Sequence, residues 1–106
     1  MAANLSQRST NGYDYVEVIG DGENGESVLI PNDLVGSLTC TIVAGANTGK
    51  VQFSTSTEEA VLTDVAVWQD WPQGTVTGTT YDVLVGPVSS VRGVSVSGEI
   101  TIEVIG

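Results

Sequence analysis

The chain has 106 residues, with three basic residues against thirteen acids, a formal charge of −10, one cysteine and no histidine. This balance excludes nucleic acid and anionic membrane as natural partners, because neutralising phosphate needs clustered Lys and Arg. The length fits one domain burying about 65% of the unfolded chain's surface, with a core of Val, Ile and Leu because aromatics make up only 6%.

The plainest reading of the charge is that it keeps the protein dispersed in solution. Residues 1–12, ending Ser9-Thr10-Asn11-Gly12, are polar, without periodicity, and lack the apolar stretch of a secretory signal. They are expected to form a flexible arm, disordered alone or held by a neighbouring molecule. The domain proper is expected to span 13–106. No apolar run approaches the roughly 18 residues needed to cross a bilayer.

Strands follow in quick succession. Tyr13 to Ile19 is the first, and Gly20 to Glu26 is a turn-rich acidic loop. Ser27 to Ile30 is short and closed by Pro31-Asn32-Asp33. Ser37 to Ala44 places Leu38, Cys40, Ile42 and Ala44 on one face and threonines on the other. Gly45-Ala46-Asn47-Thr48-Gly49 is expected to reverse the chain into Lys50 to Thr55, making a hairpin. Cys40 reads as a small buried hydrophobe made in a reducing compartment.

Ser56-Thr57-Glu58-Glu59 fits a capping box, predicting one helical turn at 57–62. Val65 to Trp71 is extended and is broken by Pro72-Gln73-Gly74. Further strands are expected at Thr75–Val85, Val88–Val96 and Glu99–Ile105. Val94, Val96, Ile100 and Ile102 should share a buried face, which requires Ser97-Gly98-Glu99 as an odd-length hairpin loop. The fold class is therefore all-β, an antiparallel β-sandwich or flattened barrel of about seven to eight short strands.

Little in the chain carries chemistry. The acidic loop at 21–26 offers oxygen ligands, but Glu26 stands where an EF-hand needs its glycine, so it reads as a solvated turn. Carboxylate pairs (Glu58 with Glu59, Asp64 with Asp70) lack any sign of a cleft. No histidine can activate the many Ser and Thr hydroxyls, and no G-x-S-x-G elbow is present. The expectation is no enzyme, no cofactor and no metal.

Trp68 and Trp71 are three apart, so in a strand they face opposite ways. One belongs to the core; Trp71, beside Pro72, is the candidate interface anchor. Arg92 is expected to pair with an acid locally or across a subunit contact, and Arg8 is the third interface candidate. A carbohydrate platform built on an exposed Trp is the competing reading.

The stretch Trp68-Gln69-Asp70-Trp71-Pro72-Gln73-Gly74-Thr75-Val76, continuing at Asp82-Val83-Leu84-Val85-Gly86-Pro87-Val88-Ser89-Ser90-Val91-Arg92, resembles small all-β accessory virion proteins of tailed bacteriophages. Capsid decoration (cement) proteins are among them, and the likeness runs from about Phe53 to Val104. The resemblance implies a virion structural protein on the capsid exterior, binding the major capsid protein of the expanded head and bridging its subunits. Each contact needs only about 1,600 Å² or less, and many copies make removal slow. A tail, neck or fibre component is the nearest variant. A final strand ending at Ile105 would leave an apolar edge, which a homotrimer would cover.

Overall fold

The computed structural model describes residues 2–4, 6–9, 12–30, 37–85 and 88–106, with side chains from residue 13 onward. Its elements in chain order are β1 (Ala2–Asn4), β2 (Ser6–Ser9), β3 (Gly12–Ile19), β4 (Ser27–Leu29), β5 (Ser37–Ser54), α1 (Glu58–Leu62), β6 (Gln69–Asp70), β7 (Val76–Val85), β8 (Ser90–Ser97) and β9 (Ile100–Ile105). They form one sheet in the order β1-β4-β8-β5-β9-β3-β2, with β6 and β7 on the other side of β5. Every pairing is antiparallel except β1 with β4.

The sheet curls because β5 serves two layers. Its first half, Thr39–Val43, pairs with β9, which continues to β3 and β2. Its second half, Thr48–Ser54, pairs with β8, which continues to β4 and β1. The thinnest extent of the molecule is 21 Å, which suits two layers packed at about 10 Å.

This arrangement corrects the expected hairpin at 45–49. Residues 37–44 and 50–54 do not pair with each other; they are one strand of 18 residues with a kink. The register against β7 shifts between Val43 and Thr48, and Gly45 sits at φ 59°. The glycine-rich segment thus bends the chain from one layer to the other without reversing it.

A second correction concerns the end of the chain. β9 does not form a hairpin with β8, and it is not an edge: it lies between β3 and β5. The apolar edge that motivated a trimer is therefore already covered within the chain. On β9, Ile100, Ile102 and Val104 point into the core as their alternation predicts. On β8 the inward set is Val91, Gly93 and Ser95, while Val96 is 49% exposed.

Size explains that reversal better than hydropathy. A Cβ at Gly93 would lie 2.5 Å from Ile19 Cδ1 and 3.2 Å from Ile102 Cβ. The opposing layer therefore fills the space at position 93 with its own side chains. Ser95 is satisfied in the interior, accepting from the Gly22 N–H and donating to the Gly98 carbonyl.

Within 1–12, the described residues are 2–4, 6–9 and 12. The backbone at 2–4 pairs with β4 and that at 6–9 with β3, so both segments extend the chain's own sheet. The helical turn does form: Thr57 caps α1, its Oγ1 accepting the Ala60 N–H at 3.2 Å. The core gathers Ile19, Val28, Leu38, Cys40, Ile42, Val51, Trp71, Leu84, Val91, Ile100, Ile102 and Val104.

Candidate functional site

Both sheet layers turn a face to solvent, and the two faces differ in chemistry. On the β3–β9–β5–β7 layer, pairing sets Val16 beside Glu103, Thr41 and Tyr81 in one row. The neighbouring rows are Asp14, Ile105, Thr39 and Val83, and then Val18, Thr101, Val43 and Thr79. Directly opposed residues share a side, so these rows make one outer surface. Several of its large apolar residues stand well clear of the protein, including Val16 at 62% exposure, Tyr81 at 66% and Val85 at 78%. These apolar side chains are interleaved with Thr39, Thr41, Thr79, Thr101, Asp14 and Glu103 on the same face.

The other layer carries a polar chain along β6, β5 and β8. Lys50 Nζ lies 3.1 Å from Asp70 Oδ1, the one ion pair among the described residues. Gln52 Nε2 donates to Asp70 Oδ1 at 2.9 Å, and Arg92 Nε donates to Gln52 Oε1 at 2.9 Å. The Arg92 guanidinium lies over the Trp68 ring, 4.3 Å from its centroid. Hydrogen bonds from Gln52 and then Lys50 hold the Asp70 carboxyl below the usual carboxylate range. Burial lowers the Arg92 value from that of an ordinary arginine, yet the group stays cationic.

These positions revise the interface candidates. The two tryptophans do face opposite ways, but Trp71 is the core member, 2% exposed, with Nε1–H donating to the Gly74 carbonyl at 2.6 Å. Trp71 therefore cannot anchor a partner; Trp68 holds the surface position. Spacing alone did not choose between them: the Val51 carbonyl accepts the Trp71 N–H, a tie 20 residues apart in the chain that sets residue 71 beside buried Val51 on the core side of β5. Arg92 has no carboxylate partner among the described residues; its partners are Gln52 and Trp68. Arg8 lies in β2 by its backbone, and its side chain is outside the described residues.

The acidic loop at 21–26 is exposed at its tip and tied to β8 and the turn beyond it. Gly25 N–H donates to Gly93 O at 2.7 Å, Ser95 N–H to Glu23 O at 2.9 Å, and Gly98 N–H to Asp21 Oδ1 at 2.7 Å. Among the described residues no three His, Cys, Asp or Glu side chains come together as a metal site would require. Glu58 and Glu59 occupy the first turn of α1, where carboxylates favour the helix. Cys40 is buried, and burial followed by the Asp82 charge pushes its thiol up to about 12. No helix among the described residues is long and apolar enough to cross a membrane.

No protein-family model matches the chain, and no curated protein matches it in sequence. Solved structures do resemble it. Recombinant oxalate oxidase in complex with glycolate aligns at TM-score 0.57 and 11% identity, over 90% of this chain and 41% of that one. A Klebsiella pneumoniae protein with a double-stranded β-helix domain aligns at 0.53 and 12%, over 96% and 72%. An RmlC-like cupin from Desulfovibrio desulfuricans aligns at 0.51 and 9%, over 95% and 77%. The chain thus has a cupin-like β-sandwich fold, while spanning under half the length of oxalate oxidase. That fold carries an enzyme in oxalate oxidase, but a shared scaffold is not a shared activity.

Proposed function

We propose that this chain is a non-catalytic binding module, a virion structural protein of a tailed bacteriophage whose work is to hold other proteins together. Within that class the favoured role is capsid decoration: binding the outside of the expanded head and bridging neighbouring capsid subunits. The observation that carries the reading is the broad apolar outer surface of the β3–β9–β5–β7 layer, with Val16, Tyr81 and Val85 exposed. A surface with this apolar content gains most when another protein covers it.

The absence of histidine from the sequence supports a non-catalytic role, since none of its hydroxyls has an imidazole base. The resemblance of residues 53–104 to accessory virion proteins supplies the phage assignment. Thirteen acids favour an outward position, away from a packaged genome. Mixing the purified protein with immature and expanded heads tests this: co-sedimentation with expanded heads alone is expected. Absence of the chain from purified particles overturns the virion assignment. Density at a tail, neck or fibre position in particle images selects the nearest variant.

A second reading has one observation in its favour. Trp68 is partly exposed with Arg92 against its ring, and Arg92 is bonded in turn to Gln52 and through it to Asp70, a polar setting of the kind a sugar-stacking ring uses. Arg92 already covers one of its faces. Titration with host-surface glycans, read by tryptophan fluorescence, tests this reading; an unchanged spectrum overturns it.

A further inference from the structure

The loop between β3 and β4 contains Asn24-Gly25, and the fold leaves position 25 no alternative to glycine. A Cβ there would lie 2.8 Å from Ile19 Cδ1, 2.9 Å from Glu17 Oε1 and 3.2 Å from the Gly93 carbonyl oxygen. Asn24 itself is exposed, and its side-chain amide makes no hydrogen bond among the described residues. An asparagine followed by glycine is chemically labile, because no Cβ shields the glycine nitrogen from the asparagine's own side chain. That nitrogen attacks Cγ, the new N–Cγ bond closes a five-membered succinimide, and the Cγ–Nδ2 bond breaks. Ammonia leaves with the glycine N–H proton, and water then opens the ring to aspartate or isoaspartate. Here the closed loop withholds what ring closure requires. The Gly25 N–H donates to the Gly93 carbonyl at 2.7 Å, so the proton that must be lost is engaged. Asn24 bridges Val94 as an antiparallel pair. In that extended conformation the side chain and the following nitrogen are turned apart about the Cα–C bond, whereas the ring needs them together. Three more bonds hold the loop shut: Ser95 N–H to Glu23 O, Gly98 N–H to Asp21 Oδ1, and Glu26 N–H to the Glu17 carboxylate.

We infer that Asn24-Gly25 is a gated modification site: the asparagine persists while the loop lies on β8, and opening exposes it to a conversion that keeps the loop from closing again. The second half follows from the product. Isoaspartate carries the main chain through its side-chain carbons, so one methylene is inserted between positions 24 and 25. That insertion moves the Gly25 N–H away from Gly93 O, in a place where Ile19 and Glu17 leave no room for an added carbon. Either product also sets a new carboxylate between Glu23 and Glu26, in a loop that already holds Asp21 and leans on Glu17. The two described cations do not offset it, since Lys50 pairs with Asp70 and Arg92 is held by Gln52 and Trp68. Like charges gathered in the closed loop favour the open one. The loop therefore keeps a permanent chemical record of having opened.

Incubating the purified full-length chain, folded and in urea at the same mildly alkaline pH, tests the gate. Mass spectrometry of the peptide carrying Asn24, with its aspartyl and isoaspartyl forms separated, reads this site apart from Asn11-Gly12, the other such pair in the sequence. Conversion at Asn24 is expected to be about tenfold or more slower in the folded chain. Asp21→Ala removes the acceptor of the Gly98 N–H and is expected to speed conversion in the folded chain by about two- to tenfold. Hydrogen exchange at the amides of Gly25, Ser95 and Gly98 reads the release of the loop. These amides are expected to be protected before conversion and to exchange rapidly once isoaspartate has formed. Asn24→Gln is expected to stay unconverted with the same three amides protected. Equal rates in the folded and unfolded chain, or an Asp21→Ala rate equal to that of wild type, overturns the gate. Amides as well protected after conversion as before overturn the one-way release.

Discussion

A methyl group at position 93 has no room, and the consequence is measurable. Gly93→Ala drives a Cβ into Ile19 and Ile102, an overpacking that costs about 1–3 kcal/mol and lowers the urea midpoint at unchanged slope. Trp71→Ala empties a fully buried site and frees the Gly74 carbonyl; the expected loss is about 3–5 kcal/mol. Cys40 gives a pH signature. Its thiol titrates near 9.0 when unfolded and at about 12 when folded, so the unfolded state ionises first as pH rises. Stability from this group is complete below about pH 9 and is lost progressively towards pH 12. Burial also raises the Tyr15 phenol, with the same sign. Denaturant melts across that range check it, and Ellman's reagent should fail to label Cys40 before unfolding. At this scale the sequence was readable where alternation was clean, as on β9. It misled on β8, because the inward positions were chosen by the bulk of the opposing Ile19 and Ile102, which the strand's own hydropathy does not reveal.

Among the elements, β5 shows most clearly what a local pattern can and cannot say. Two clean alternations separated by a glycine-rich pentapeptide read as a hairpin, since turn chemistry and bend chemistry use the same residues. What distinguishes them is the identity of the neighbours, β9 then β8 on one side and β7 then β6 on the other. Those pairings are distant in sequence and have no local signature. Gly45 at φ 59° is the test: Gly45→Val should cost about 1–2 kcal/mol by forcing a branched side chain into left-handed geometry, read as a lowered thermal midpoint. The helix was easier, because its signal is local. Thr57→Ala removes the cap on Ala60 and should cost about 1 kcal/mol. The same logic explains the tryptophans: their opposition followed from spacing, but which one lay inside depended on the tie between Trp71 and Val51.

For the molecule as a whole, the all-β character was legible from alternation and turn residues, and the apolar outer face was not. Val16, Val18 and Ile105 belong to strands whose partners decide which side is covered. The face predicts a separation of stability from binding. Under the capsid role proposed above, Val16→Lys, on a side chain 62% exposed and directly opposite Glu103, should shift stability by no more than about 0.5 kcal/mol while weakening attachment to expanded heads. Pelleting assays beside thermal melts would show it, and equal binding by the variant would remove this face from the contact. The shared strand β5 has a mechanical consequence. Because one unbroken backbone runs through both leaves of the sandwich, a load pulling those leaves apart is borne partly by covalent bonds. The domain will resist being opened like a book and will yield, under tension, from its outermost strands inward.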